Sequence, residues 1–153
     1  ILLKEQIESL NRMIIEIRDM INTGDGGDCD QNRPKPAIGI AIVDSMNMGD
    51  EQFKTQEKIM NYASVFAYYV YELWKENLKS KCVTSDNRMI IFYSKKDGAL
   101  YTYASNLLST KLPSSRITKV AVESKPSFAM GVYSGLKYML TQYRNYFTGN
   151  RND

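Results

Sequence analysis

Carboxylates and thiols are the groups through which this sequence could do chemistry. Asp44 and Ser45 close an apolar run, the position at which an α/β sheet presents ligands beyond its strand tips; a capping or turn role suits Asp44 equally. Asp25, Asp28 and Asp30 stand in "TGDGGDCDQNRPKP", and clustered acids suggest calcium. Their spacing lacks the fixed turn and the distal bidentate Glu of an EF-hand loop, and a solvated acidic loop is the commoner case. Cys29 and Cys82 are the only cysteines, and the chain has no histidine, so nothing completes a four-ligand zinc site. Two readings remain: one disulfide in an oxidising compartment, or two unrelated buried thiols. The polar, turn-rich surroundings of both residues favour the disulfide, which would close a loop of some fifty residues and stabilise by about 4 kcal/mol. No nucleophile or nucleotide-binding motif is recognisable.

The elements that must position these groups belong to one domain, since 153 residues do not build two cores. Hydrophobic residues make up 43% and charged residues 24%, the balance of an ordinary folded module. The net charge is +3, with basic residues scattered among acids rather than gathered in the stripe that phosphate tracking needs, which argues against nucleic acid as a partner. No stretch approaches the ~18 apolar residues of a membrane span. The chain begins at Ile1 without a methionine, so a leader or a membrane anchor outside it is compatible with the sequence.

Leu3, Ile7, Leu10, Ile14, Ile17 and Ile21 recur at steps of four and three and predict an amphipathic helix over 2–21. Glycine, proline and acids make 24–36 a loop. "AIGIAIVDSM" (37–46) is apolar on both faces, as a strand covered by helices on both sides must be. A long helix is expected from Asp50, as N-cap, to about Leu78, with Tyr62, Tyr68, Tyr69 and Tyr71 spread around it. "MIIFYS" and "ALYTYAS" flank Asp97-Gly98, a strong hairpin signal. Pro113 opens a short helix to about Glu123, and Pro126 and Ser127 open a last one to Phe147. Strand, crossover helix and strand make a right-handed βαβ unit, so the first two strands should be parallel and the third antiparallel. The predicted fold class is α/β, a three-layer α/β/α sandwich with a small mixed sheet and helices on both faces.

Order and local wording together resemble the TPM domain family, in particular its nematode branch, the modulator of levamisole receptor type. The words are "LLKEQIESLNRMI", "AIGIAIVDSM", "YASVFAYYVYELWKEN", "DNRMIIFYSKKDGALYTYAS" and "FAMGVYSGLKYML", covering nearly the whole chain. The resemblance implies a single TPM-like domain over 1–148, with 24–36 as an inserted acidic loop and 149–153 as a frayed tail. It further implies an extracellular domain, attached to the plasma membrane through a segment outside this chain, that binds and positively modulates a pentameric acetylcholine-gated ion channel. Here Cys29–Cys82 would staple the inserted loop to the end of the crossover helix. The chain departs from the family where the acidic segment before the first helix is missing and where Ala104 and Ser105 replace the usual Gly.

Other members of the family are connected with phosphatase activity and calcium binding. The rival expectation is therefore a metal-assisted phosphatase with Asp44 and Asp86 as ligands and Asp97 as a further candidate, the metal activating water in the absence of histidine. A third is a cytosolic interaction module with free thiols. On the leading reading no residue is catalytic and no cofactor is expected, calcium excepted. Tyr68, Tyr69, Tyr101 and Tyr103 are the candidate partner contacts, because tyrosine buries much area at small entropic cost; rim packing is their alternative role.

Overall fold

The computed structural model describes residues 2–20, 36–49, 55–77 and 87–150. Within them run α1 (Lys4–Met20), β1 (Ala37–Val43), α2 (Gln56–Asn77), β2 (Arg88–Ser94), β3 (Ala99–Ala104), a 3-10 turn (Asn106–Leu108), α3 (Ser114–Glu123), α4 (Lys125–Ala129) and α5 (Val132–Thr148). β2 lies between β1, parallel to it, and β3, antiparallel to it. The βαβ unit and the hairpin thus have the expected directions, and the architecture is α/β with a small mixed sheet.

Side chains alternate across the sheet and divide the core in two. Ile38, Met89 and Ile91 join Leu10 and Ile17 of α1, Val120 of α3 and Leu136, Met139, Leu140 and Tyr143 of α5 on one face. Ile90, Phe92 and Ala99 join Ala63, Ala67 and Tyr71 of α2 on the other. Across the first face the buried Tyr143 hydroxyl and Thr102 Oγ1 share a hydrogen bond of 3.0 Å, and burial pushes the phenol's pKa well up. Gly39 lets Trp74 of α2 lie on β1, since a Cβ there would stand 3.2 Å from the indole.

Two expected boundaries shift for physical reasons. β1 stops at Val43 rather than Met46 because its partner turns away: Lys95 and Lys96 of the hairpin turn donate their N–H groups to the Val43 and Asp44 carbonyls at 2.9 and 2.8 Å, and the chain then tucks Met46 and Met48 under α2. The expected last helix is two helices. Gly131, at φ 141°, breaks the run between α4 and α5, and Phe128 turns inward to stack on Tyr93 at 5.0 Å. The ring fits because residue 135 is glycine; a Cβ there would come within 2.3 Å of it. The 21, 50 and 78 boundaries, most of the 24–36 loop and residues 151–153 of the tail lie outside the described residues. No described helix is long and apolar enough to cross a membrane.

Candidate functional site

At the carboxyl edge of β1, where a parallel pair offers its ligand-binding edge, Asp44 meets the hairpin turn. Its Oδ2 lies 2.8 Å from Lys96 Nζ, with the two side chains 66% and 69% exposed. That hydrogen bond, then the lysine charge itself, holds the Asp44 carboxyl below the usual carboxylate range, and reciprocally raises Lys96. Asp97 points elsewhere. Its Oδ2 accepts the Met46 N–H at 2.7 Å and the Ser94 hydroxyl at 2.6 Å, fastening the chain that leaves β1 to the turn between β2 and β3. Each carboxylate is thus engaged by donors of the chain itself. Asp86, Cys29 and Cys82 lie outside the described residues. The Asn87 carbonyl accepts the Ala37 N–H at the opposite end of the sheet from Asp44. Among the described residues no three His, Cys, Asp or Glu side chains are grouped to hold a metal ion.

The four tyrosines divide between an exposed face and a packed layer. Tyr68 and Tyr69 are 49% and 61% exposed on the outer side of α2, in one stripe with Val65 and Leu73 at 65% and 42%. Steps of three, four and eight residues place all of these on one face of the helix. Behind them Tyr103 of β3 meets Tyr68 edge-on at 5.4 Å and Tyr71 at 4.8 Å. The Glu72 carboxylate beside Tyr68 raises that phenol's pKa. Tyr101 is half-buried and borders a groove along β3.

Two features escaped the sequence. Arg88, the first residue of β2, is 1% exposed, its guanidinium 4.6 Å from the centre of the Tyr71 ring and 5.5 Å from that of Trp74. A basic residue opening an apolar strand gives no sign of this, although the aromatic density of α2 was visible. The groove along β3 is the second, with a volume of about 550 Å³, bordered by Leu100 and Thr102 of β3 and by Ile117, Ala121 and Val122 of α3. Its one sequence signal is that α3 is apolar on two sides, Val120 inward and Val122 outward.

Neither a family model nor a curated protein matches the chain. Among solved structures it is similar to the solution NMR structure of the N-terminal domain of a protein from P. gingivalis, at 13% identity and a TM-score of 0.62, over 97% of this chain and 78% of that one. The likeness is one of fold.

Proposed function

We propose that this chain is a non-catalytic binding domain that engages a protein partner through the outer face of α2. The observation that carries the reading is the stripe of Val65, Tyr68, Tyr69 and Leu73, apolar and aromatic, exposed on a helix whose other side is packed on the sheet. Aromatic side chains held rigid from behind, as Tyr68 is by Tyr103, make effective anchors at protein interfaces because little freedom remains to be lost on binding. The engagement of Asp44 by Lys96 and of Asp97 by Met46 and Ser94 supports a structural use of these acids over a catalytic one.

Following the resemblance drawn from the sequence, the partner is a pentameric acetylcholine-gated channel, which this domain modulates positively from the extracellular side of the plasma membrane. Co-purification of the domain with the solubilised receptor tests this. Tyr69→Ala and Val65→Asp are expected to weaken retention tenfold or more, about 1.4 kcal/mol or above. Wild-type retention by both folded variants would remove the α2 face from the interface, and no retention of the parent domain at near-stoichiometric load would remove the receptor. Mass spectrometry with and without reductant addresses the compartment: secreted material with Cys29 and Cys82 both free would take away the extracellular argument.

A further inference from the structure

β3 is an edge strand among the described residues, and its sequence, ALYTYA, carries none of the charges or prolines with which exposed edges are commonly protected from pairing. The phase of its hydrogen bonds follows from one observation. Ser105 N–H donates to the Arg88 carbonyl at 3.1 Å, so in an antiparallel pair the residues bonded to β2 are Ala99, Tyr101 and Tyr103, and the backbone groups of Leu100, Thr102 and Ala104 point to the open edge. Leu100 and Thr102 are the residues that border the groove. Its far wall is α3, which presents Ile117 and Ala121 one turn apart with Val122 beside them. α3 is ten residues long, about 15 Å, the reach of four or five residues of extended chain.

We infer that this groove takes an extended peptide segment of another protein, added to β3 as a fourth strand. Backbone hydrogen bonds to Leu100 and Thr102 would hold the segment, and alternate side chains of the peptide would pack on Ile117, Ala121 and Val122. Among the described residues the one charged side chain bordering the groove is Lys125, the first residue of α4, near where Phe128 stacks on Tyr93, the β2 partner of Leu100. The peptide is therefore apolar at every second position and acidic at the end beside Lys125. A similar groove along β1, bordered by Ile7, Ile15 and Ile42, has no charged residue among its described lining to define an occupant. The β3 groove meets α2 at Gln56 and Met60, not at the stripe of Val65, Tyr68, Tyr69 and Leu73, and does not depend on the identity of the receptor.

A displayed library of random decapeptides, selected on the intact chain, tests the inference. Enriched sequences should alternate apolar residues with others and carry Asp or Glu near one end. A selected peptide should slow amide hydrogen exchange at Leu100 and Thr102. Ala121→Arg, which fills the groove, and Leu100→Pro, which removes an outward N–H at a position where an edge strand accepts proline, should each weaken binding at least tenfold. Lys125→Glu should shift selection from acidic to basic ends, and Val65→Asp on α2 should leave peptide binding unchanged. Should Leu100→Pro fail to fold, Ala121→Arg on α3 and Lys125→Glu at the start of α4 decide the matter. The inference is overturned by a library that enriches nothing, by peptides that bind Ala121→Arg and Lys125→Glu as well as the parent chain, or by peptides lost in Val65→Asp, which would assign them to the α2 face.

Discussion

Asp97 holds Met46: the carboxylate of a hairpin turn accepts a backbone N–H from the segment that leaves the first strand, at 2.7 Å, and the Ser94 hydroxyl completes the clasp at 2.6 Å. Hydrogen bonds to a charged acceptor are worth about 1.5–3 kcal/mol each. Asp97→Ala removes two such bonds at a part-buried site and should destabilise the domain by about 3 kcal/mol, the lower end of their sum, in urea unfolding. Added calcium should restore none of that loss and should not shift the parent chain's midpoint through Asp97. A calcium-dependent rise in the midpoint that vanishes in Asp97→Ala would make this residue a ligand and not a clasp.

Gly135 and Phe128 form a second matched pair. Gly135→Ala places a methyl group where the Phe128 ring now stands, 2.3 Å away, and the ring must give up its stack on Tyr93. Overpacking of this kind costs about 1–3 kcal/mol, partly offset by the better helix propensity of alanine, about 1 kcal/mol. In a Phe128→Ala background the same substitution should be neutral or stabilising. Additive losses in the double variant would refute the steric account.

Arg88 lies against the faces of two rings, an arrangement in which a planar guanidinium outperforms a compact ammonium. Arg88→Lys should cost about 1–2 kcal/mol. Because Trp74 is the only tryptophan, its fluorescence reports on the site directly, and the emission maximum should move in the folded variant. An unchanged spectrum together with unchanged stability would show that the rings do not sense the cation.

The Asp44–Lys96 pair should give a small pH dependence at both ends of the scale. Asp44 is depressed in the folded chain, so its contribution is present above the ordinary carboxylate value, ~3.9, and is lost as pH falls through the folded value. Lys96 is raised, so its contribution is present below ~10.4 and is lost as pH rises through the folded value. Exposure of both side chains keeps the effect modest and salt-sensitive. Carboxyl carbon titration of Asp44 should give a midpoint below the usual range that rises in Lys96→Met. An unmoved midpoint in that variant would assign the depression to another cause.

Much of this architecture is written in short-range pattern. The continuous apolar run from Ala37 and the Asp97-Gly98 turn between β-rich words identify the sheet, and the directions of its three strands follow from the length of their connections. What spacing could not reveal depends on contacts between distant positions. Phe128 and Val132 continue one helical stripe in the sequence, yet the ring of Phe128 is drawn to Tyr93 and the chain breaks at Gly131. Asp97 reads as an ordinary turn residue or a candidate ligand until Met46 is seen against it. The open edge of β3 required both the strand order and the phase of its pairing, and neither is encoded locally.

The sheet unites a neighbouring pair of strands with a remote one. Ser94 faces Ala99 across a tight turn, whereas Ala37 faces Arg88 from about fifty positions away. Hairpins close in roughly 1–10 μs, while bringing β1 alongside β2 must first overcome the entropy of a much larger loop. The expected order of assembly puts β2 and β3 into the nucleus and seats β1 late, so kinetic φ-values should be high at Ile91 and near zero at Ile40.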